Sequence, residues 1–323
     1  MPFTARMYAR RADRDRITRF LSEANVGEPR PGIWELGSFT WAFYQHTTFD
    51  PTRSIRLWED AATGALLGFV WLASWPGAGE ITVQIRPDVR ETAEGVAILA
   101  DMLAWARRVG TRRQLTQLQA LALDSDAWQI ERLAAAGFAH DPTNAGYVHF
   151  RRPFDAAPLP ETPLPPGFTV RAVGGPDEWQ RRVDAHRAAF HPSRVTLESY
   201  RRVRAAPTYR PDLDLVAVAP DGQFVAYCIL WYDERARVGE YEPVGAHPDW
   251  RRQGLSRAVL VEGLRRAQAL GAERAMVLTA IHNTPAVRLY ESVGFVQHDY
   301  ERNYADARKI EELAHTRRTP PQP

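Results

Sequence analysis

The chain has 323 residues, of which 45% are hydrophobic and 25% charged, and its formal net charge at pH 7 is +2. This length indicates two domains, each long enough to bury a core. The nearly balanced charge argues against a general nucleic-acid-binding protein, which would carry a basic excess. Cys228 is the only cysteine, so neither an intrachain disulfide nor a cysteine-based zinc site can form, and we expect no metal.

The N-terminal residues and the apolar stretches bear on the cellular compartment. Residues 1–4 begin no signal peptide, because no apolar run follows a basic segment. The longest apolar stretch, residues 65–75, is too short for a helix that spans a bilayer. We therefore expect a cytoplasmic protein that contacts no membrane and binds no nucleic acid, either as a monomer or as a homodimer.

A proline-rich segment divides the sequence. Six prolines between residues 151 and 167 exclude a helix or a central strand and indicate an extended linker. The predicted organisation is an N-terminal domain at residues 1–152, a linker at 153–166, a C-terminal domain at 167–305 and a polar tail at 306–323. A short helix is expected from Ala305 onward, followed by disorder.

The same elements follow one another on both sides of this linker. Each half shows a strand, a turn, two more strands, a helix, a strand and a helix. They fall at residues 54–58, 59–64, 66–73, 80–85, 92–109, 119–123 and 126–136 in the first half. In the second half they fall at 213–219, 220–222, 224–232, 239–246, 255–270, 275–279 and 284–293.

Matching residues of the two halves keep a nearly constant offset. Pro87 and Pro248 lie 161 positions apart, as do Gly110 and Gly271, which are expected to end the longer helices. Residues Gly137 and Gly294 are 157 apart, so the first half carries a four-residue insertion, expected in a loop at 112–118. The sequence therefore predicts a duplicated α/β domain, each copy built on a mixed sheet flanked by helices.

A turn between strand and helix in the second half suits a phosphate. In Arg251-x-x-Gly254-x-Ser256 the small residues let a ligand approach the backbone. The first amides of the following helix lack intrahelical partners and lie at the positive end of its dipole. With Arg251 and Arg252 they could bind a pyrophosphate, although a basic loop that only caps the helix is the alternative interpretation.

Two further segments flank this turn. The strand before it contains Pro243, which cannot donate to a sheet ladder and so indicates a bulge or an edge. After it, residues 283–295 form a helix that Asn283 caps and Gly294 ends. Asn283, Ala286 and Tyr290 share one face of this helix.

These segments resemble the GNAT superfamily of acetyltransferases. Arg251-x-x-Gly254-x-Ser256 is similar to that family's pyrophosphate turn, with Ser in the last place, and residues 283–295 match its Asn-x-x-Ala-x-x-Leu-Tyr-x-x-x-Gly-Phe pattern. The resemblance implies two tandem GNAT-like domains, each with a mostly antiparallel sheet and a splayed central strand pair. It also implies a site for acetyl-CoA or CoA formed by Val244, Gly245, Ala246, Arg251, Arg252, Gln253, Gly254, Leu255, Ser256, Arg257, Asn283, Ala286 and Tyr290.

Acyl transfer to an amine makes three demands on such a site. The amide of Val244 is a candidate donor to the oxyanion of the tetrahedral intermediate. Tyr290, a phenol that stays protonated at neutral pH, is predicted to be the general acid for the leaving thiolate. Glu242 is the leading candidate for the base that deprotonates the amine. Glu240, His247 and His282 remain as alternatives.

The first copy lacks these groups. The turn corresponds to Arg90-Glu91-Thr92-Ala93-Glu94-Gly95, in which two glutamates would repel a pyrophosphate. Asp126 stands in the place of Asn283, and Leu133 in that of Tyr290. We expect this half to be structural or to shape the acceptor site. Four aromatic residues could line that site, although core packing is the more frequent role of such residues: Trp34, Trp41, Phe43 and Tyr44.

The sequence thus predicts a cytoplasmic acyl-CoA-dependent N-acyltransferase. It would transfer an acetyl group directly, in a ternary complex, to a primary amine of a small molecule or protein, with the active site in the C-terminal domain. Its tandem organisation is similar to that of mycothiol synthase, but no residue pattern identifies the acceptor. The alternatives are a non-catalytic acyl-CoA-binding sensor and an interaction scaffold.

Overall fold

The computed structural model describes residues 2–27, 32–155 and 157–307. They form two compact units. Unit 1 contains the described parts of residues 1–34, 50–147 and 299–323, and unit 2 contains residues 35–49 and 148–298. Each unit therefore includes a segment from the other half of the sequence. The domain boundaries at residues 152 and 167 stay predictions.

Ten helices and thirteen strands are described in these ranges. The helices are α1 Arg11–Ala24, α2 Leu36–Gln45, α3 Pro51–Ser54, α4 Pro87–Arg90, α5 Ala93–Arg112, α6 Ala127–Ala135, α7 Trp179–Ala189, α8 Leu197–Arg204, α9 Leu255–Ala269 and α10 Thr284–Ser292. The strands are β1 Phe3–Met7, β2 Ile55–Asp60, β3 Leu66–Trp75, β4 Ala78–Ile85, β5 Gln117–Leu123, β6 Phe138–His140, β7 Tyr147–Pro153, β8 Thr169–Ala172, β9 Asp214–Val218, β10 Phe224–Asp233, β11 Val238–Ala246, β12 Arg274–Ala280 and β13 Val296–Asp306.

Unit 1 is a sheet in the order β1-β2-β3-β4-β5-β13, and β6 also pairs with β13. The pair β4–β5 is parallel, and the other described pairs are antiparallel. Its core joins Trp58 of β2, Met102 of α5 and Phe138 of β6, all almost fully buried. The strand that completes this sheet, β13, comes from the C-terminal end of the described chain.

Unit 2 repeats the architecture with the order β7-β12-β11-β10-β9-β8. The pair β11–β12 is parallel, and β8, β9, β10 and β11 pair antiparallel in sequence. Helix α9 buries Val259, Leu260 and Leu264 completely. Helix α2, which comes from the first half of the sequence, packs on β10, β11 and α8.

The predicted fold class is confirmed: each unit is a mixed, mostly antiparallel sheet flanked by helices. The predicted end of the longer helix at Gly110 is wrong, because α5 continues to Arg112. Gly110 keeps a helical backbone, and a Cβ there would meet no atom nearer than 3.8 Å. The extra residues of the first copy therefore lengthen a helix rather than a loop.

The C-terminal segment also differs from expectation. Strand β13 runs to Asp306, where the sequence predicted a short helix from Ala305, because both residues pair with β6. The rest of the predicted tail, from residue 308 on, lies outside the described residues. No helix in the described part of the chain has the length and apolar character needed to cross a bilayer.

Candidate active site

Strand β11 carries the bulge predicted at Pro243. Val244 pairs with Cys228 of β10, but the next pair along is Tyr241 with Leu230. The single residue Ile229 thus faces two residues of β11, which is the geometry of a β-bulge. The indole Nε1 of Trp231 donates to the carbonyl oxygen of Glu242 at 2.6 Å, which ties the bulged backbone to β10.

Beyond the bulge, β11 separates from β12. Their parallel pairing covers only Val238–Tyr241 against Arg274–Val277. The amide of His247 donates to the Val225 carbonyl of β10 at 2.9 Å. Because backbone groups alternate along a strand, those of Val244 and Ala246 are directed to the opposite side, into the gap. This opening can accept the amides of an extended ligand.

Gly245 has a different position from its two neighbours. It pairs with Tyr227 of β10, so the same alternation turns its backbone groups toward β10. A Cβ at Gly245 would lie 2.6 Å from the Tyr227 ring. This glycine lets the strand pass over that ring, and its amide does not face the gap.

The turn after β11 is open. One 3-10 turn, Pro248–Trp250, leads to Arg252 at φ 63° and Gly254 at φ 77°. The side chains of residues 251–253 are exposed, and a Cβ at Gly254 would meet nothing within 4 Å. Helix α9 starts immediately afterward at Leu255. Its first amides therefore point into accessible space, as an anion site requires.

The first turn of α9 also holds other predicted cofactor contacts. Leu255 is buried in the core, while Ser256 and Arg257 are half-buried. The Nε of Arg257 is buried and has no hydrogen-bond partner among the described residues. A guanidinium in that condition can donate to an anionic ligand at this turn.

Helix α10 carries Tyr290, and Asn283 caps its N-terminus. The Oδ1 of Asn283 accepts from the Ala286 amide at 3.4 Å, and its Nδ2 donates to Thr279 Oγ1 at 3.1 Å. The structure therefore uses Asn283 as the N-cap and leaves Ala286 half-buried beside it. Tyr290 is 5% exposed, and its ring contacts Phe150 and Phe295 at centroid distances of 5.8 and 6.1 Å.

The surroundings of Glu242 and Tyr290 raise the proton affinity of both groups. Burial, and then the nearby Glu240, raise the pKa of the Glu242 carboxyl to about 8. Burial, followed by the charge of Glu242, raises the pKa of the Tyr290 phenol above its ordinary value. A carboxylate that titrates near neutral pH can act as a base, and a phenol that keeps its proton can act as an acid.

Glu240 is held by a residue that sequence reasoning missed. Its carboxylate accepts from the Ser38 amide at 2.8 Å and from the Ser38 hydroxyl, and Glu240 is only 4% exposed. Ser38 lies in α2, 202 positions earlier in the chain. No local sequence pattern links Ser38 to Glu240. The sequence indicated only that Glu240 and Glu242 alternate along β11 and could form a pair of carboxylates.

The two histidines proposed as alternative bases lie in the loops that follow β11 and β12. The Nδ1 of His247 accepts from the Asp249 amide at 3.3 Å, so it caps the 3-10 turn. His282 is exposed in the loop before α10. Glu242 is the one of these three candidates whose charge acts on Tyr290.

The corresponding turn of unit 1 is closed. Arg90 makes an ion pair with Asp126 and stacks on Trp128 at 4.6 Å from the ring centroid. A Cβ at Gly95 would overlap the carbonyl oxygens of Val89 and Arg90. The carbonyl oxygens therefore crowd the position that corresponds to Ser256, at the start of the helix in unit 2.

Packing explains the other marked residues of the first half. Leu133 is fully buried in the core of unit 1, where Trp34 also contacts Trp71 at 5.7 Å between ring centroids. Trp41 of α2 joins a buried cluster with Trp231. Phe43 contacts Phe39 and Tyr44 at 5.6 and 5.2 Å.

Comparison with known proteins identifies the class. The family model described as "Acetyltransferase (GNAT) family" matches residues 179–295. A mycothiol acetyltransferase from Thermomonospora curvata is 32% identical over 258 residues, which cover 76% of this chain and 80% of that protein. The chain belongs to the GNAT family of acetyltransferases and is an N-acetyltransferase. Members of this family use acetyl-CoA and an acceptor.

The similarity extends over both halves of the chain. A mycothiol acetyltransferase from Nocardiopsis dassonvillei is 28% identical and covers 92% of this chain and 94% of its own length. A tandem GNAT protein from the clavulanic acid biosynthesis pathway superposes with a TM-score of 0.63 at 15% identity, over 94% of this chain and 98% of that one. The tandem GNAT fold is therefore confirmed.

Proposed function

We propose that unit 2 transfers an acetyl group from acetyl-CoA directly to a primary amine. The observation that carries this proposal is the gap between β11 and β12, which begins beside Glu242 and leads to the open turn at Gly254. A pyrophosphate on that turn would direct the rest of the donor along the backbone of Val244 and Ala246. The thioester would then reach the level of Tyr290.

Each proton of the reaction has a group to receive or supply it. Glu242 takes a proton from the acceptor ammonium, and the free amine attacks the thioester carbonyl. The Val244 amide donates to the oxyanion that develops there. When the carbon–sulfur bond breaks, Tyr290 donates its proton to the leaving thiolate, and the second proton lost by the attacking nitrogen restores the phenol, while the proton on Glu242 passes to solvent. The products are the N-acetylated acceptor and CoA.

The acceptor is proposed from the relatives rather than from the pocket. The relatives reported above are named mycothiol acetyltransferases. The deacetylated amine form of mycothiol is therefore the first acceptor to test, followed by other primary amines. Acetylated product, detected by mass spectrometry, would support the assignment.

A calorimetric titration with acetyl-CoA tests the donor site. We expect one site per chain, lost in Arg251→Glu. The matched control is Arg265→Glu, the same charge reversal at an exposed position of α9 that pairs with Glu262, and it should bind normally. Two sites would show that unit 1 binds the donor as well.

Two other outcomes would favour the alternatives. Binding of acetyl-CoA without acetylation of any amine would indicate a non-catalytic sensor. No binding at all would favour an interaction scaffold, because the open turn would then hold no pyrophosphate.

A further inference from the structure

Helix α2 brings a part of the first half of the sequence to the proposed active strand. Residues 35–49 belong to unit 2, and α2 packs directly on β11. At its first turn the Ser38 amide lies 2.8 Å from Oε2 of Glu240, and the Ser38 hydroxyl donates to Oε1. Both oxygens of the Glu240 carboxylate are therefore held by one residue of α2.

Gly37 makes this close approach feasible. A Cβ at Gly37 would lie 2.5 Å from Oε2 of Glu240 and 2.6 Å from Cδ1 of Trp231. Trp231 is the residue whose indole donates to the Glu242 carbonyl at 2.6 Å. The first turn of α2 thus contacts two groups: the carboxylate of Glu240, and the side chain of Trp231, which hydrogen-bonds the bulged backbone at Glu242.

We propose that the first turn of α2, through Gly37 and Ser38, is a positioning element of the active site. It fixes the Glu240 carboxylate and, through Trp231, the bulged backbone at Glu242. This inference rests on the proposed function, in which Glu242 accepts the proton of the amine. It gives the first half of the sequence a role in catalysis through one helical turn.

The chemistry of the contact predicts its effect. Burial raises the pKa of the Glu240 carboxyl, and the two donors of Ser38 oppose that rise and favour the ionised form. A negative charge on Glu240 makes Glu242 hold its proton more tightly. Other titratable or charged groups act on this pair or on Glu35 beside it: Glu35 before α2, His149 on β7, Tyr227 and Asp233 on β10, Arg274 on β12 and Tyr290 on α10. Burial and then Glu240 raise the pKa of Glu35 to about 8, so Glu35 is largely neutral at pH 7.

The test is a carboxyl ¹³C NMR titration of the full chain labelled in its glutamates. The Glu242 signal is assigned by its loss in Glu242→Gln. In Ser38→Ala we expect Glu242 to bind its proton about tenfold more weakly, because Glu240 loses a donor and is neutralised more readily. Glu240→Gln removes the charge outright and should shift the titration in the same direction.

Two control variants separate positioning from loss of structure. Ser38→Thr keeps the hydroxyl and should restore the wild-type titration. Ser199 is another buried helix-start serine of unit 2, bonded to Thr196. Ser199→Ala should lower stability without moving the Glu242 signal.

Three results would contradict either the positioning role of α2 or the proposed function. An unchanged Glu242 titration in both Ser38→Ala and Glu240→Gln would overturn the positioning role alone. Greater loss of acetyl transfer in Glu240→Gln than in Glu242→Gln would make Glu240 the base and overturn it as well. A wild-type chain that acetylates no amine would contradict the proposed function, while the NMR comparison would still stand.

Discussion

In the proposed reaction Glu242 accepts a proton and Tyr290 donates one. The carboxyl of Glu242 titrates near neutral pH because it is desolvated beside Glu240. The phenol of Tyr290 keeps its proton over the whole physiological range. Environments that set proton affinities apart are typical of acid and base pairs in enzymes.

The first prediction concerns the acid. Tyr290→Phe removes only a hydroxyl, so kcat should fall roughly 10²-fold or more, the usual contribution of general acid catalysis, with acetyl-CoA affinity unchanged. Tyr232→Phe is the control, because that hydroxyl donates to the Leu270 carbonyl away from the site. Equal turnover in the two variants would remove Tyr290 as the acid.

The second prediction concerns pH. Since the base must be deprotonated, kcat/KM should rise with pH and level off above about 8, the pKa of Glu242. Glu242→Gln should abolish this dependence and most of the activity. A rate profile that keeps the same pH dependence in Glu242→Gln would assign it to another group.

The same carboxyl also affects stability. Its pKa in the folded state, about 8, lies above its ordinary value of 4.5. The folded chain therefore holds a proton that the unfolded chain releases, and the stability from this group is full below pH 4.5 and is lost as pH rises to about 8. The Tm of wild type should fall across that window more than the Tm of Glu242→Gln.

At the scale of elements, the two equivalent turns differ in what surrounds the start of the helix that follows. In unit 2 the turn leaves the first amides of α9 accessible beside Gly254. In unit 1 Arg90 is paired with Asp126, and the carbonyls of Val89 and Arg90 lie against Gly95, the counterpart of Ser256. We therefore expect the residues of the turn, and not its position in the fold alone, to decide whether an anion binds.

Substitution at Gly254 tests the open turn. Its φ of 77° makes any L-residue strained, at a cost of order 1–3 kcal/mol, so Gly254→Ala should weaken stability and acetyl-CoA binding moderately. Gly254→Glu adds a charge that repels the pyrophosphate and should abolish binding in a calorimetric titration. Normal binding in Gly254→Glu would place the pyrophosphate elsewhere.

Local signals allowed the prediction of most elements around the site. The cap at Asn283, the stop at Gly294 and the proline at 243 each act within one turn or one strand, so the sequence reveals α10 and the bulge. The contact between Ser38 and Glu240 joins residues 202 positions apart. No helix was predicted at Leu36–Gln45, and the periodicity of a helix does not show which sheet covers its buried face.

At the scale of the whole molecule, the two units exchange segments. Unit 1 needs residues 299–306 of β13 between β5 and β6, and unit 2 needs α2. Neither half of the sequence, cut at the proline-rich linker, contains all the elements of a unit. The duplication visible in the sequence is therefore not a pair of independent folding segments.

Expression of the separate halves tests this exchange. We expect residues 1–160 alone to lack a cooperative thermal transition, because the sheet of unit 1 would miss the strand that pairs with both β5 and β6. The two halves expressed together should complement each other. The matched control is the full chain cleaved within the linker after folding, which should stay intact. A cooperative transition in the isolated first half would contradict the prediction.

The exchanged strand also affects the order of events during synthesis. At about 5–20 residues per second on the ribosome, the stretch from Tyr147 to Asp299 takes roughly 8–30 seconds to emerge. Throughout that interval the nascent β5 has an unpaired edge, which β13 later covers. Unit 2 already has its early segment, α2, and ends at residue 298. Unit 1 is therefore completed after unit 2, although most of its residues are synthesised first. The exposed edge of β5 is where a chaperone would be needed most.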